Sequence, residues 1–265
     1  NFMYKRSAFH HYQCIKICLP FLKYFRSKFL LPTMKIEVCI NRLEDVQRIQ
    51  SLAVDRIELC IELACGGLTP SLAMVEQALA LSAIPIHVLV RPRSGDFMYS
   101  EATLSGMKKT IEQLHDIGVA GIVTGALTND RNLPLAVLQS FRSIVSNGAL
   151  YFHRAFDEVN ATENALKQLI SLGYDGVLTS GQKNTALEGI QSLKQWKDDA
   201  QQELTILPGS GINVSNCLAF KRRGFEWIHL SAKKTMASSY DSLFSTKQYQ
   251  LDLAALDQVI ELVKS

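Results

Sequence analysis

No apolar run in the 265 residues reaches the roughly 18 that a helix needs to cross a bilayer, so a soluble protein with no membrane partner is expected. Cysteine is also scarce. The six residues Cys14, Cys18, Cys39, Cys60, Cys65 and Cys217 show no recurring close spacing. That excludes a disulfide-stapled secreted scaffold and suits free thiols in a reducing compartment. The sequence contains no nucleotide or organic-cofactor fingerprint, no nucleophile–base motif and no strand lysine beyond Lys35 at a strand's first position, so no particular reaction is indicated.

Acidic residues are missing from one region altogether. Residues 1–33 carry Lys5, Arg6, Lys16, Lys23, Arg26 and Lys28 with no Asp or Glu. Of 28 basic residues, 22 remain against 25 acidic ones in 34–265, a net −3, so the body offers no positive excess for nucleic acid. The leader also lacks glycine and any helical or strand period, and Pro20 interrupts it. Met34 immediately precedes the first patterned strand. Three readings fit 1–33: translated sequence upstream of a start at Met34, a transit peptide, or a membrane-surface helix. Scarce serine and Pro20 count against the last two, so 1–33 is expected to be a non-native or disordered leader outside the fold. Its His10, His11, Cys14 and Cys18 are taken as an accidental cluster.

From Met34 the pattern is regular. Short β-branched runs alternate with segments whose apolar residues fall three and four apart, which indicates repeated βα units. Strands are expected near 35–40, 55–60, 86–91, 121–126, 149–155, 176–180, 204–208 and 226–231, with a last helix over about 248–264. Eight such units with no linker or low-complexity stretch predict a single (β/α)8 TIM-type barrel domain over 34–265.

Two strands echo each other. Lys35-Ile36-Glu37-Val38-Cys39-Ile40 and Arg56-Ile57-Glu58-Leu59-Cys60-Ile61 share one pattern, offset by 21 residues. Side chains alternate along a strand, so the aliphatic face meets the helices and Glu37, Cys39, Glu58 and Cys60 face the barrel interior. The same parity turns Arg91, Tyr151, His153, Asp157, His229 and Ser231 inward, toward the C-terminal mouth where barrel sites lie. Glycine turns after strands six and seven, including Ser180-Gly181 and Gly209-Ser210-Gly211, suggest backbone N–H groups for an anion, with Arg93 and Arg154 nearby.

Each feature has a plain structural alternative. Cysteine is often a small buried hydrophobe, but two on adjacent strands about 4.8 Å apart can share one soft ion such as Cu(I), or oxidise to a disulfide. Glu37 and Glu58 are expected either to pair with Arg91, His153 or Arg154, or to supply a general base while Arg91 holds an anion. Asp157 is expected to cap a helix or to act in catalysis. His87 and His115 are read as structural.

Six motifs taken together carry a resemblance. Glu58-Leu59-Cys60 with Gly66-Gly67-Leu68-Thr69-Pro70-Ser71, Val90-Arg91-Pro92-Arg93-Ser94-Gly95-Asp96-Phe97, Phe152-His153-Arg154-Ala155-Phe156-Asp157, Leu178-Thr179-Ser180-Gly181-Gln182 and Pro208-Gly209-Ser210-Gly211-Ile212-Asn213 resemble the CutC family of copper-homeostasis proteins. The resemblance runs from Met34 to about Ala232. It implies a barrel, a cytoplasmic setting, a homodimer or larger homo-oligomer, and Cu(I) held by Cys39 and Cys60. Cys65 stands where family members often have Glu, and is expected as a third thiol ligand. Two functions therefore compete. One is a Cu(I)-binding factor using the cysteine pair. The other is a barrel enzyme for a small anionic or phosphorylated metabolite, using Glu37, Glu58, Arg91, His153 and Asp157.

Overall fold

The structure, a computed structural model, describes residues 33–235 and 249–265, so the expectations for the leader lie outside the described residues. Eight strands form one sheet: β1 (Lys35–Ile40), β2 (Arg56–Leu59), β3 (Ile86–Val90), β4 (Gly121–Thr124), β5 (Ala149–Phe152), β6 (Gly176–Thr179), β7 (Thr205–Pro208) and β8 (Trp227–Leu230). Their order is β7-β6-β5-β4-β3-β2-β1-β8, and every neighbouring pair is parallel. β7 and β8 lie side by side at the seam, giving the nearly closed (β/α)8 barrel expected from the sequence.

The crossovers are α1 (Leu43–Arg48), α2 (Leu72–Leu81), α3 (Glu101–Asp116), α4 (Leu135–Ile144), α5 (Thr162–Ser171), α6 (Ile190–Asp199) and α7 (Cys217–Lys221), and α8 (Leu253–Lys264) ends the chain. Local chemistry fixes their starts. Ser71 and Ser100 accept the N–H groups of Met74 and Thr103 and so cap α2 and α3. Along α3, Met107, Ile111 and Leu114 recur at helical spacing and form its buried face.

Two apolar layers result. Ile36, Val38, Ile40, Ile57, Leu59, Val88 and Val90 pack outward under the helices. Cys39, Cys60, Leu89, Val123, Tyr151, Leu178 and Leu207 form a separate cluster inside the barrel, as strand alternation requires. Gly121 makes room in that interior, because a Cβ there would sit 2.5 Å from His87 Nε2.

Two boundaries differ from expectation for identifiable reasons. β5 stops at Phe152 because His153 accepts the Ala155 N–H and opens a 3₁₀ turn over Arg154–Glu158. The last helix begins at Leu253, not near 248, because Asp252 caps it and Tyr249–Leu251 pairs antiparallel with Lys233–Thr235.

Candidate functional site

Register brings the interior polar residues together. Glu37 lies opposite Arg56 on β2 and His229 on β8, and Cys39 lies opposite Glu58. Arg56 Nε donates to Glu37 Oε2 at 2.5 Å, and His229 Nδ1 donates to Glu37 Oε1 at 2.7 Å. His229 Nε2 lies 3.9 Å from Glu58 Oε2, and the Cys39 and Cys60 sulfurs are 3.4 Å apart. A sulfur of Cys39, a carboxylate oxygen of Glu58 and a ring nitrogen of His229 all lie within 4.8 Å of one another. The Arg56 guanidinium is held over the rings of Tyr151 at 4.5 Å and Trp227 at 4.1 Å.

The electrostatics follow from this packing. Burial alone would raise Glu37, but Arg56 and His229 outweigh it and bring it from 4.5 to about 2. Glu58 is raised, because burial outweighs the opposing pull of His229. Burial opposes charge on His229, yet Glu58, Cys39 and Glu37 together lift it well above 6.5. Cys39 is raised by its hydrogen bond to Cys60 and by burial.

A second group of residues sits at the C-terminal face. Loops after β2, β3, β5 and β6 enclose a cavity of about 550 Å³ whose walls include Cys65, Gly66, Arg91, Phe97, Arg154 and Asp157. Arg91 donates to the carbonyls of Cys65 (2.9 Å), Gly67 (3.2 Å) and Gly95 (3.0 Å), and its Nε is buried without a partner. His153 packs tilted against Phe97 with ring centroids 4.9 Å apart and accepts the Ala155 N–H through Nδ1, leaving Nε2 unpaired. Burial, with Arg91 assisting, drops His153 from 6.5 to about 3, so it is neutral.

The structure therefore divides the expected catalytic set. Glu37 and Glu58 pair with Arg56 and His229, not with Arg91, His153 or Arg154. The reason is position: Glu37 is mid-strand and Arg56 opens β2, whereas Arg91, His153 and Arg154 follow the ends of their strands.

The anion expectation needs a similar correction. Asp157 itself accepts from Thr179 Oγ1, from Ser180 N at 3.0 Å, from Gln182 N at 3.1 Å and from Arg154 Nε at 2.9 Å. Its carboxylate fills the turn after β6. Gly181 N donates to Thr179 Oγ1 and Gly209 N to the Thr179 carbonyl, so these donors are also committed internally. Ser210, at φ +85°, donates its hydroxyl to the Asn184 carbonyl, and the Gly211 carbonyl accepts from the Asn213 and Asn216 amides. Arg93 is exposed and bound to Asp96 and the Met98 carbonyl, while Ser231 follows β8, half-buried.

Cys65 is exposed, unlike the buried thiol pair. It ends a 3₁₀ turn over Leu63–Cys65, where its sulfur donates to the Glu62 carbonyl at 3.2 Å. Sequence reasoning missed Arg56 and gave His229 no role beyond facing inward. Parity was the available signal, since Arg56 shares the inward face of Glu58 and Cys60.

Fold and site together define a (β/α)8 barrel with a buried thiol–carboxylate–imidazole cluster beneath its mouth. The CutC family model matches residues 34–234, and the chain belongs to that family. A family protein CutC from Pasteurella multocida is 41% identical over 201 residues, covering 76% of this chain and 82% of that protein. One from Glaesserella parasuis is 36% identical over 233 residues, covering 88% and 95%. Among solved structures, the putative copper homeostasis protein CutC from Streptococcus agalactiae superposes with TM-score 0.70 at 27% identity, covering 74% of this chain and 97% of that one. A thiamine phosphate pyrophosphorylase from Pyrococcus furiosus, at TM-score 0.56 and 13% identity over 88% of this chain and 97% of its own, shares the fold alone.

Proposed function

We propose that this protein binds Cu(I) through Cys39 and Cys60 and serves copper homeostasis in the cytoplasm. The observation that carries the reading is the 3.4 Å approach of two buried sulfurs inside the barrel. Soft thiolates select a soft monovalent ion, and the Streptococcus agalactiae neighbour is described as a copper homeostasis protein. Titration of the reduced protein against a Cu(I) chelator is expected to give one ion per chain, with Cys39→Ser or Cys60→Ser abolishing tight binding. Cys65→Ser and Cys217→Ser should leave it unchanged, since Cys65 faces the mouth and Cys217 lies on α7. Wild-type affinity in a Cys39→Ser, Cys60→Ser double variant overturns the reading.

The mouth cavity favours a second reading, an enzyme for a small anionic or phosphorylated metabolite. Its support is Arg91 and Arg154 on the cavity wall, with the His153 ring packed on the wall residue Phe97. Inorganic phosphate should then raise the melting temperature of wild type but not of Arg154→Met. Equal shifts in both would remove this reading.

A further inference from the structure

The thiol pair has neighbours that two-coordinate copper would leave unused. We propose that Cys39, Cys60, His229 and Glu58 make a four-donor site for a divalent ion of the zinc class, a reading that rests on the same thiol pair as the copper function.

Four observations converge. Cys39, Glu58 and His229 already bring one ligand atom each within 4.8 Å of the others, and the Cys60 sulfur, which stands outside that threesome, lies 3.4 Å from the Cys39 sulfur. Two sulfurs 3.4 Å apart, each about 2.3 Å from a shared ion, subtend about 95° at it, whereas linear coordination needs a separation of about 4.6 Å. The present spacing is that of a bent site with room for more ligands.

His229 is oriented as metal-bound histidines are. Its Nδ1 is tied to the Glu37 carboxylate, which leaves Nε2 directed at Glu58, and Glu37 is anchored in turn by Arg56. Glu58 supplies the fourth observation. It is 3% exposed, and its Oε1 is buried with no hydrogen-bond partner. Such an oxygen is costly to bury unless something accepts its lone pairs, and a borderline dication that takes carboxylate as well as thiolate would do so where soft Cu(I) would not. Two thiolates, one imidazole and one carboxylate are together a tetrahedral zinc-type donor set. The small exposure of Cys39 (6%) and of the His229 side chain (12%) leaves a narrow way in.

Co2+ is the probe, titrated into the reduced full-length protein. The expected result is one Co2+ per chain, with the intense ligand-field bands of tetrahedral cobalt and sulfur-to-cobalt charge transfer, displaced stoichiometrically by Zn2+. Glu58→Gln and His229→Gln should each shift the bands and weaken binding about tenfold or more. Glu37→Gln, acting through His229, should weaken it by about 10- to 100-fold. X-ray absorption of the zinc-loaded wild type should show two sulfur and two nitrogen or oxygen neighbours, a readout that needs no variant to fold. Weak octahedral cobalt bands, a zinc shell without nitrogen or oxygen from protein, or spectra unchanged in both Glu58→Gln and His229→Gln would overturn the proposal. The two readings fail separately. Cu(I) bound through the pair without a tetrahedral cobalt spectrum sinks this proposal alone, and the converse result sinks the copper reading alone.

Discussion

At the residue scale, the buried ionic cluster is held by Arg56. Its guanidinium neutralises Glu37 and is clamped between Tyr151 and Trp227, so its loss leaves a carboxylate in the barrel interior with only His229 to balance it. Removing one member of a buried pair costs about 3–5 kcal/mol, and Arg56→Met should cost that much in urea unfolding. A loss below about 1 kcal/mol would show that the pair adds little over apolar packing.

The two neutral histidines set the acid limit. His153 and His87 both stand at about 3 against an ordinary 6.5, each because burial and a nearby arginine disfavour the charged ring. Protons therefore bind the unfolded chain first as pH falls. The histidines' contribution is fully present above 6.5 and declines from there down toward 3. Between pH 7 and 5 each should remove about 2 kcal/mol of stability. Glu37 joins only between 4.5 and 2, and His229, raised rather than lowered, adds nothing to this acid loss. His153→Gln should flatten the pH dependence of the urea midpoint, and an undiminished slope would assign the loss elsewhere.

At the element scale, most of the barrel was legible. All eight strands fall within about two residues of the expected starts, because period-two alternation beside helical spacing distinguishes βα units strongly. Strand parity also placed Glu37, Cys39, Glu58 and Cys60 correctly inside. Partner choice was not legible, since it depends on which strands neighbour each other and with what stagger. Glu37 meets His229 only because β8 closes onto β1, a contact across 192 positions of sequence. Nor could the loops show that Asp157 would occupy the turn after β6. A glycine turn reads alike whether its N–H groups face a ligand or the protein's own carboxylate.

The close approach of β3 and β4 carries its own prediction. Gly121 stands where a methyl would press on the His87 ring, so Gly121→Ala should cost about 1–3 kcal/mol by overpacking. Adding His87→Ser should recover part of that loss, because the clash is with the ring and not the backbone. Additive losses in the double variant would mean that the strand itself has been distorted.

At the scale of the whole molecule, an ion at the cluster would tie the first two strands to the last. Cys39 is on β1, Glu58 on β2, Cys60 just beyond it and His229 on β8, so the ligands span the two ends of the sequence where the barrel closes. Anything that binds the folded protein and not the unfolded one stabilises it by mass action, about 2.7 kcal/mol when the free ligand is a hundredfold above its dissociation constant. Loading with Cu(I) should therefore raise the melting temperature of the reduced protein, and a strong chelator should return it to the starting value. The gain should be absent in the Cys39→Ser, Cys60→Ser double variant. Hydrogen exchange locates the effect: protection should rise in β1, β2 and β8 together, while β4 and β5, which contribute no ligand, change only with global stability. Protection gained first at the mouth loops after β3 and β6 would place the ion in the upper cavity and remove the barrel interior as its site.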